Sequence, residues 1–325
     1  MRYLRFFIDK PLLILLAALP LALLAEFLHW GAGWIFVFSA IGVIPMAELI
    51  GEATEALTSH TSPRIGGLLN ATLGNAAELI ITIVAIREGL LELVKASITG
   101  SILGNLLLVI GVSFLAGGLK NGVQTFDSKN ASRYAILMIL SVIALVIPSI
   151  FSAYIGESTD IEVEALSLGV AGVMIVIYAL SLVFSFRGDG IRTVHKPVES
   201  VQHDGWPLRT AFIVLGLATL GVVVLSELLV GAVEPVVESL GISEFFIGII
   251  LVPLIGNVAE HFVAVEVALR NKMDLSVEIA VASSSQIALF VAPVLVFISL
   301  LFGNPLQLIF NEFELLALIA GVIIA

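Results

Sequence analysis

Ten apolar runs fall along this chain, at 11–30, 34–57, 65–86, 93–117, 131–153, 163–186, 208–239, 245–269, 275–301 and 313–325. A helix needs about 20 apolar residues to cross a bilayer. In lipid the backbone must satisfy its own N–H and C=O groups, so only helices and closed barrels span. Barrel strands show short alternating segments, which these runs are not. The sequence therefore predicts an all-α integral membrane protein of about ten spans. Mean hydropathy is +1.12 and only 13% of residues are charged, about half the share in a soluble domain. The first run follows Arg2, Arg5 and Lys10. It is too long for the core of a signal peptide, so we read it as a retained helix.

Charge placement supports the count. With the N-terminus on the cytoplasmic side, all of the 15 Lys and Arg except Arg87 and Lys95 fall in inner segments, as the positive-inside rule requires. The net charge of −11 favours cations over nucleic acid as partners. The chain has no cysteine, which excludes a disulfide framework and thiolate metal or redox chemistry.

The polar residues left inside the spans repeat. GNAAE at 74–78 returns as GNVAE at 256–260, and Asn75 and Asn257, Glu78 and Glu260, and Ser101 and Ser283 each differ by 182 positions. Five spans separate a segment from its copy. Five is odd, so the halves have inverted topology, the arrangement common in secondary transporters. The expected organisation is an extra N-terminal helix (1–30), a first repeat (31–187), a cytoplasmic linker (188–206) and a second repeat (207–325). Shifting the fifth and sixth spans by 182 carries their partners beyond Ala325, so the second repeat is expected to lack its C-terminal end.

A carboxylate near the middle of a span is expensive and functional by default. Gly74-Asn75 and Gly256-Asn257 are places to break a helix, and Asn-x-x-Glu has the form of a capping box. Two such breaks, with Pro253 just upstream of the second, would free carbonyl oxygens beside Glu78 and Glu260, and hard cations take carboxylate, carbonyl and amide oxygens. The alternative is that each glutamate is protonated and caps a kinked helix. Ser101 and Asn105 in the fourth span, and Ser283 and Gln286 in the ninth, supply further oxygens or serve helix packing, as Gly100 and Gly104 do. His261, beside Glu260, tunes proton affinity or makes a plain interhelical hydrogen bond. Glu48, Glu52 and Glu55 along the second span, and Glu227, Glu234 and Glu238 along the seventh, each share one helical face. These stripes line cation vestibules or sit in the headgroup layer. Pro45 and the length of the seventh span predict kinked or tilted helices.

GNAAELI and GNVAEHFVAV together resemble the two signature repeats of the calcium/proton antiporters, a branch of the cation/calcium exchanger superfamily. The resemblance covers almost the whole chain. It implies an inverted-repeat exchanger whose central cation site uses Glu78 and Glu260, helped by the adjacent asparagines and by polar residues of the following spans. It also implies that the helices opening the repeats, here the second and seventh spans, slide against a static bundle. Some eukaryotic members carry a strongly acidic segment between the halves, whereas 188–206 balances Asp189, Glu199 and Asp204 against Arg192 and Lys196.

The expected activity is exchange of Ca²⁺ for H⁺ by alternating access, with both ions as substrates of one midplane site. No organic cofactor, enzymatic activity or nucleic acid is implied, and no phosphate-binding G-x-x-x-x-G-K-[ST] motif occurs. The membrane expected is the cell membrane of a prokaryote rather than a vacuolar-type one. A sodium/calcium exchanger on the same fold is the nearest alternative. An intramembrane protease built on Ser101 and His261 would leave the repeated glutamates without a use, and a passive channel has less need of paired titratable groups.

Overall fold

The computed structural model describes residues 11–126, 128–155, 160–187 and 206–325. Arg2, Arg5, Lys10 and the expected linker up to Gly205 lie outside the described residues. Within them every regular element is helical. A 3₁₀ stretch, Pro11–Ala17, leads into α1 (Ala18–Phe27), followed by α2 (Ala32–Ser59), α3 (Pro63–Leu73), α4 (Ala76–Arg87), α5 (Leu91–Leu103) and α6 (Ile110–Asn121). Then come α7 (Ser128–Ile155), α8 (Asp160–Arg187), α9 (Leu208–Gly231), α10 (Val233–Leu240), α11 (Glu244–Phe246) and α12 (Val252–Leu269). Helices α13 (Met273–Gln286), α14 (Ala292–Leu301) and α15 (Glu312–Ile324) complete the order.

Among the described residues, seven helices are long and apolar enough to cross a membrane: Ala32–Ser59, Leu91–Asn121, Ala135–Ala153, Ile161–Phe184, Leu208–Leu240, Glu244–Leu269 and Met273–Leu301. The other three of the ten expected runs are present in other forms. The first is the shorter apolar helix Leu12–Phe27, the third is divided into α3 and α4, and the last is α15. Large side chains such as Leu115, Ile136, Phe212 and Phe262 face outward. Such a surface is at rest only in an apolar solvent.

The expected kinks take different forms. Pro45 lies inside an unbroken α2, whereas the seventh span is interrupted at Ala232, between α9 and α10. Three long helices contain π turns, at Gly104–Val109, Ile247–Leu251 and Ile287–Val291. Adding the repeat offset of 182 to the first gives 286–291, so the first and third fall at matching places in the two halves. The first contains Asn105 and the third begins one position after Gln286, and π turns are frequent at functional sites.

The chain forms two compact units, and each draws on both halves of the sequence. One contains the described residues up to Glu88, those from Trp206 to Ile247, and Ile255–Ala259. Here α2 packs along α9, its own counterpart in the second repeat, and α4 packs on α9. Gly42 permits the close approach: a Cβ there would sit 3.0 Å from the Leu225 side chain. The other unit contains the described residues from Gly89 to Arg187, Gly248–Leu254 and Glu260–Ala325. In it α13 packs on α5 and the π turn that follows. Ser284 Oγ donates to Ile102 O at 3.4 Å, and these residues are 182 positions apart. A residue that meets its own repeat counterpart marks the crossing of an internal two-fold axis. The repeat read from sequence is thus visible as packing.

Candidate functional site

In the first copy, α3 ends at Leu73 and α4 starts after Asn75, whose φ of −102° and ψ of 22° take it out of the helix. The predicted break is there, but the predicted capping box is not: the Asn75 side chain makes no capping bond to the first turn. The break places Glu78 in that first turn, where unpaired amides and the positive end of the helix dipole lie close to a carboxylate. Glu78 is 3% exposed and Asn75 is fully buried. Thr82, one turn on, donates to Glu78 O at 2.6 Å.

The second copy corrects the expectation of two breaks. Gly256 and Asn257 lie inside the continuous helix α12. The irregularity has moved upstream, to the π turn Ile247–Leu251 and to Pro253 in the first turn of α12. Proline lacks an N–H and its ring crowds the carbonyl four residues back, so the local ladder must widen. That carbonyl belongs to Ile249. It lies against Gly100 of α5, where an added Cβ would collide with Ile249 O and come within 2.7 Å of Pro253 Cγ. Gly100 is therefore required for close backbone approach.

Gly256 has a related use. A Cβ on it would stand 3.1 Å from Glu78 Cγ and 3.4 Å from Glu78 Oε1, so the glycine of one signature makes room for the glutamate of the other. Asn257 is also buried. Glu260 follows Gly256 by four residues on the same helix, hence on the same face.

A hydrogen-bonded chain runs to Glu260. Ser283 Oγ donates to Glu260 Oε2 at 2.7 Å, Asn105 Nδ2 donates to Ser283 Oγ at 3.0 Å, and His261 Nε2 lies 3.1 Å from Asn105 Oδ1. The roles follow from the acceptor end. The serine gives its only proton to the carboxylate, so it accepts from the asparagine NH₂, and the asparagine oxygen is left to accept from His261. The proton on Nε2 is set by this network. All four residues belong to the second unit, and Asn105 and Ser283 are buried. Ser101 is buried and Gln286 is half-buried one position before the third π turn.

The acidic stripes are more varied. Glu48 and Glu52 are half-buried on α2 and Glu55 is exposed, as are Glu234 and Glu238. Glu227 forms an ion pair with Arg87 at 3.0 Å, and Glu88 pairs with the same guanidinium at 2.9 Å. These bonds, to Glu227 first and Glu88 second, hold Arg87 above its ordinary pKa. Among the described residues, no group of three or more His, Asp or Glu side chains is placed to hold a metal ion. A cation bound by Glu78 or Glu260 would take its other oxygens from hydroxyls, amides and carbonyls.

One buried acid escaped the sequence reading. Glu314 is 3% exposed and accepts from Thr99 Oγ1 at 3.2 Å. With Asn311 it forms the capping box that is absent at Asn75 and Asn257. Its signal was available: Asn311-Glu312-Phe313-Glu314 has the same Asn-x-x-Glu spacing, placed just before an apolar run.

A model of the sodium/calcium exchanger protein family matches residues 31–187 and 210–325. This chain belongs to that family. Among exchangers similar to it is the Ca²⁺/H⁺ antiporter of Aphanothece halophytica, 44% identical over 96% of this chain and 87% of the relative. The Ca²⁺/H⁺ antiporter ChaA of Bacillus subtilis is 43% identical over 96% and 89%. The solved structure of native YfkE superposes with a TM-score of 0.83 at 42% identity, covering 96% of this chain and 89% of that one. The crystal structure of the H⁺/Ca²⁺ exchanger CAX, 18% identical, shares the exchanger fold at a TM-score of 0.72, covering 97% and 80%.

Proposed function

We propose that this chain is a secondary active antiporter that exchanges Ca²⁺ for H⁺ by alternating access, and that the two ions compete for Glu78 and Glu260. The observation that carries the reading is the setting of the two acids. The spans that bear them contain no Lys or Arg, and the chain that reaches Glu260 consists of a hydroxyl, an amide and an imidazole. A buried carboxylate supported by such groups needs a cation or a proton. Occupancy by one excludes the other, and exclusion couples their movements.

In this reading Asn75, Asn257, Gly74 and Gly256 shape the cation's surroundings. Ser101, Asn105, Ser283, Gln286 and His261 orient the acids. Glu48, Glu52, Glu55, Glu234 and Glu238 raise the local cation concentration at the mouths, and Glu227 does so while paired with Arg87. Residues 31–187 and 207–325 act as the two repeats, with 1–30 an extra helix, 188–206 the connection, and the N-terminus cytoplasmic. Ca²⁺ is cargo, and the exchange requires no organic cofactor. The names of the bacterial relatives support Ca²⁺ and H⁺ as the exchanged ions, and their bacterial sources favour a prokaryotic cell membrane over a vacuolar one.

The test is uptake of radioactive calcium into proteoliposomes under an imposed pH gradient, then under a sodium gradient. Uptake that follows the pH gradient and ignores sodium is expected. Uptake driven by sodium alone would assign the chain to sodium/calcium exchange.

A further inference from the structure

Glu314 is fixed from several directions. Oε1 accepts from Thr99 of α5 at 3.2 Å, and Oε2 accepts from Asn311 N at 2.8 Å. Glu314 N donates to Asn311 Oδ1 at 2.9 Å. The chain leading to it is fixed as well. Residues 305–311 lie outside any helix, with Leu306, Leu308 and Phe310 buried at alternate positions. Their amides are accepted by Ser299, Ser167 and Ser149, at 2.8, 3.1 and 2.9 Å. Buried backbone outside a helix needs such acceptors.

Helix α15 continues along α5. A Cβ on Gly321 would lie 2.7 Å from Leu103 Cδ2 and 3.9 Å from Leu107 Cδ1. The contacts on α5 and its π turn thus fall at Thr99, Leu103 and Leu107. Ser101 and Asn105 lie between them. This stretch needs outside support, because the π turn at Gly104–Val109 already departs from the regular ladder that would hold its register.

We propose that Glu314 is a positioning residue for the exchange site: through Thr99 it sets the register of α5, and hence the placement of Ser101 and Asn105. The proposal rests on the reading that Asn105, Ser283 and Glu260 serve ion exchange. It acts by hydrogen bonding, and its charge is not required. Glutamine can replace glutamate in a capping box: its amide oxygen accepts from Asn311 N, and its NH₂ donates to the Thr99 hydroxyl, which accepts as readily as it donates, so both contacts persist with the second reversed.

The test compares Glu314→Gln, Glu314→Ala and Thr99→Val in proteoliposomes at matched protein levels, with the Ca²⁺ KM and the maximal rate measured separately. Glu314→Ala and Thr99→Val are expected to raise KM about fivefold, the scale of one lost hydrogen bond, while Glu314→Gln stays within about twofold of the parent. Equal damage from Gln and Ala would assign a role to the charge and overturn the proposal. Unchanged KM with reduced thermal stability would make Glu314 merely structural and overturn it too. Amide hydrogen exchange across residues 99–109 is the readout that does not depend on transport. Faster exchange in Glu314→Ala than in Glu314→Gln is expected, and equal protection in both would contradict the brace. If the parent protein carries no proton-driven Ca²⁺ flux, the functional reading fails, whereas the exchange data still judge the brace.

Discussion

The two signature copies share Gly-Asn-x-Ala-Glu and differ in backbone. The first interrupts its span between α3 and α4, whereas the second runs unbroken through α12. The glutamates are accordingly stabilised by different means. Glu78 sits in the first turn of a helix, against amides and the positive end of a dipole. Glu260 sits in mid-helix and receives a serine hydroxyl. The difference shows that a helix break is a property of the whole span. Pro253 and the π turn before it take up the irregularity of the second copy upstream, and nothing equivalent precedes the first, where position 71 is alanine.

The strongest way to break the comparison is at Gly100. Gly100→Ala puts a methyl group into the carbonyl of Ile249, a backbone atom that cannot rotate away. The expected cost is about 3 kcal/mol or more, seen as loss of folded, monodisperse protein after extraction. Normal yield and melting behaviour would mean that the widened helix at Pro253 is more compliant than its geometry implies.

Gly256→Ala sharpens it. The new Cβ stands 3.1 Å from Glu78 Cγ, so the flexible carboxylate moves and the protein folds. Apparent Ca²⁺ affinity is expected to fall about tenfold, with a small change in stability, because displacing one ligand by a few tenths of an ångström degrades a coordination geometry. Unchanged affinity in vesicle uptake would remove Gly256 from the site. Ser283→Ala tests the other acid. It deletes the donor to Glu260 and is expected to weaken Ca²⁺ affinity about three- to tenfold, the scale of a typical net hydrogen bond. Unaltered uptake would show that Glu260 does not depend on that serine. The smallest effect belongs to Glu227→Gln. This removes an exposed ion pair with Arg87, and such pairs contribute little, so a melting midpoint within ~2 °C of the parent is expected. A larger drop would make the pair a structural tie between α4 and α9.

These expectations also show what could be read from the chain. The all-helical membrane fold, the repeat and the family follow from apolar run length and from the positions of a few polar residues, because lipid penalises each one. Asn105 and Ser283, which form the hydrogen-bonded chain to Glu260, were legible for that reason. The unbroken second copy was not, since the π turn that replaces a break is a non-local accommodation by Gly100 on another helix. The ion pair between Arg87 and Glu227 joins residues 140 positions apart and leaves no local trace. Glu314 is legible by the same rule that marks Asn75, since Asn311-x-x-Glu314 has the same capping-box spacing.

The central claim, that both repeat glutamates carry the exchange, is tested most directly by Glu78→Gln and Glu260→Gln. Glutamine keeps the shape of each side chain and removes its charge and its proton. In proteoliposomes with matched protein content and an imposed pH gradient, either variant is expected to abolish proton-driven Ca²⁺ uptake, and the double variant to be no worse than the singles. Substantial proton-coupled uptake by either single variant would contradict the claim.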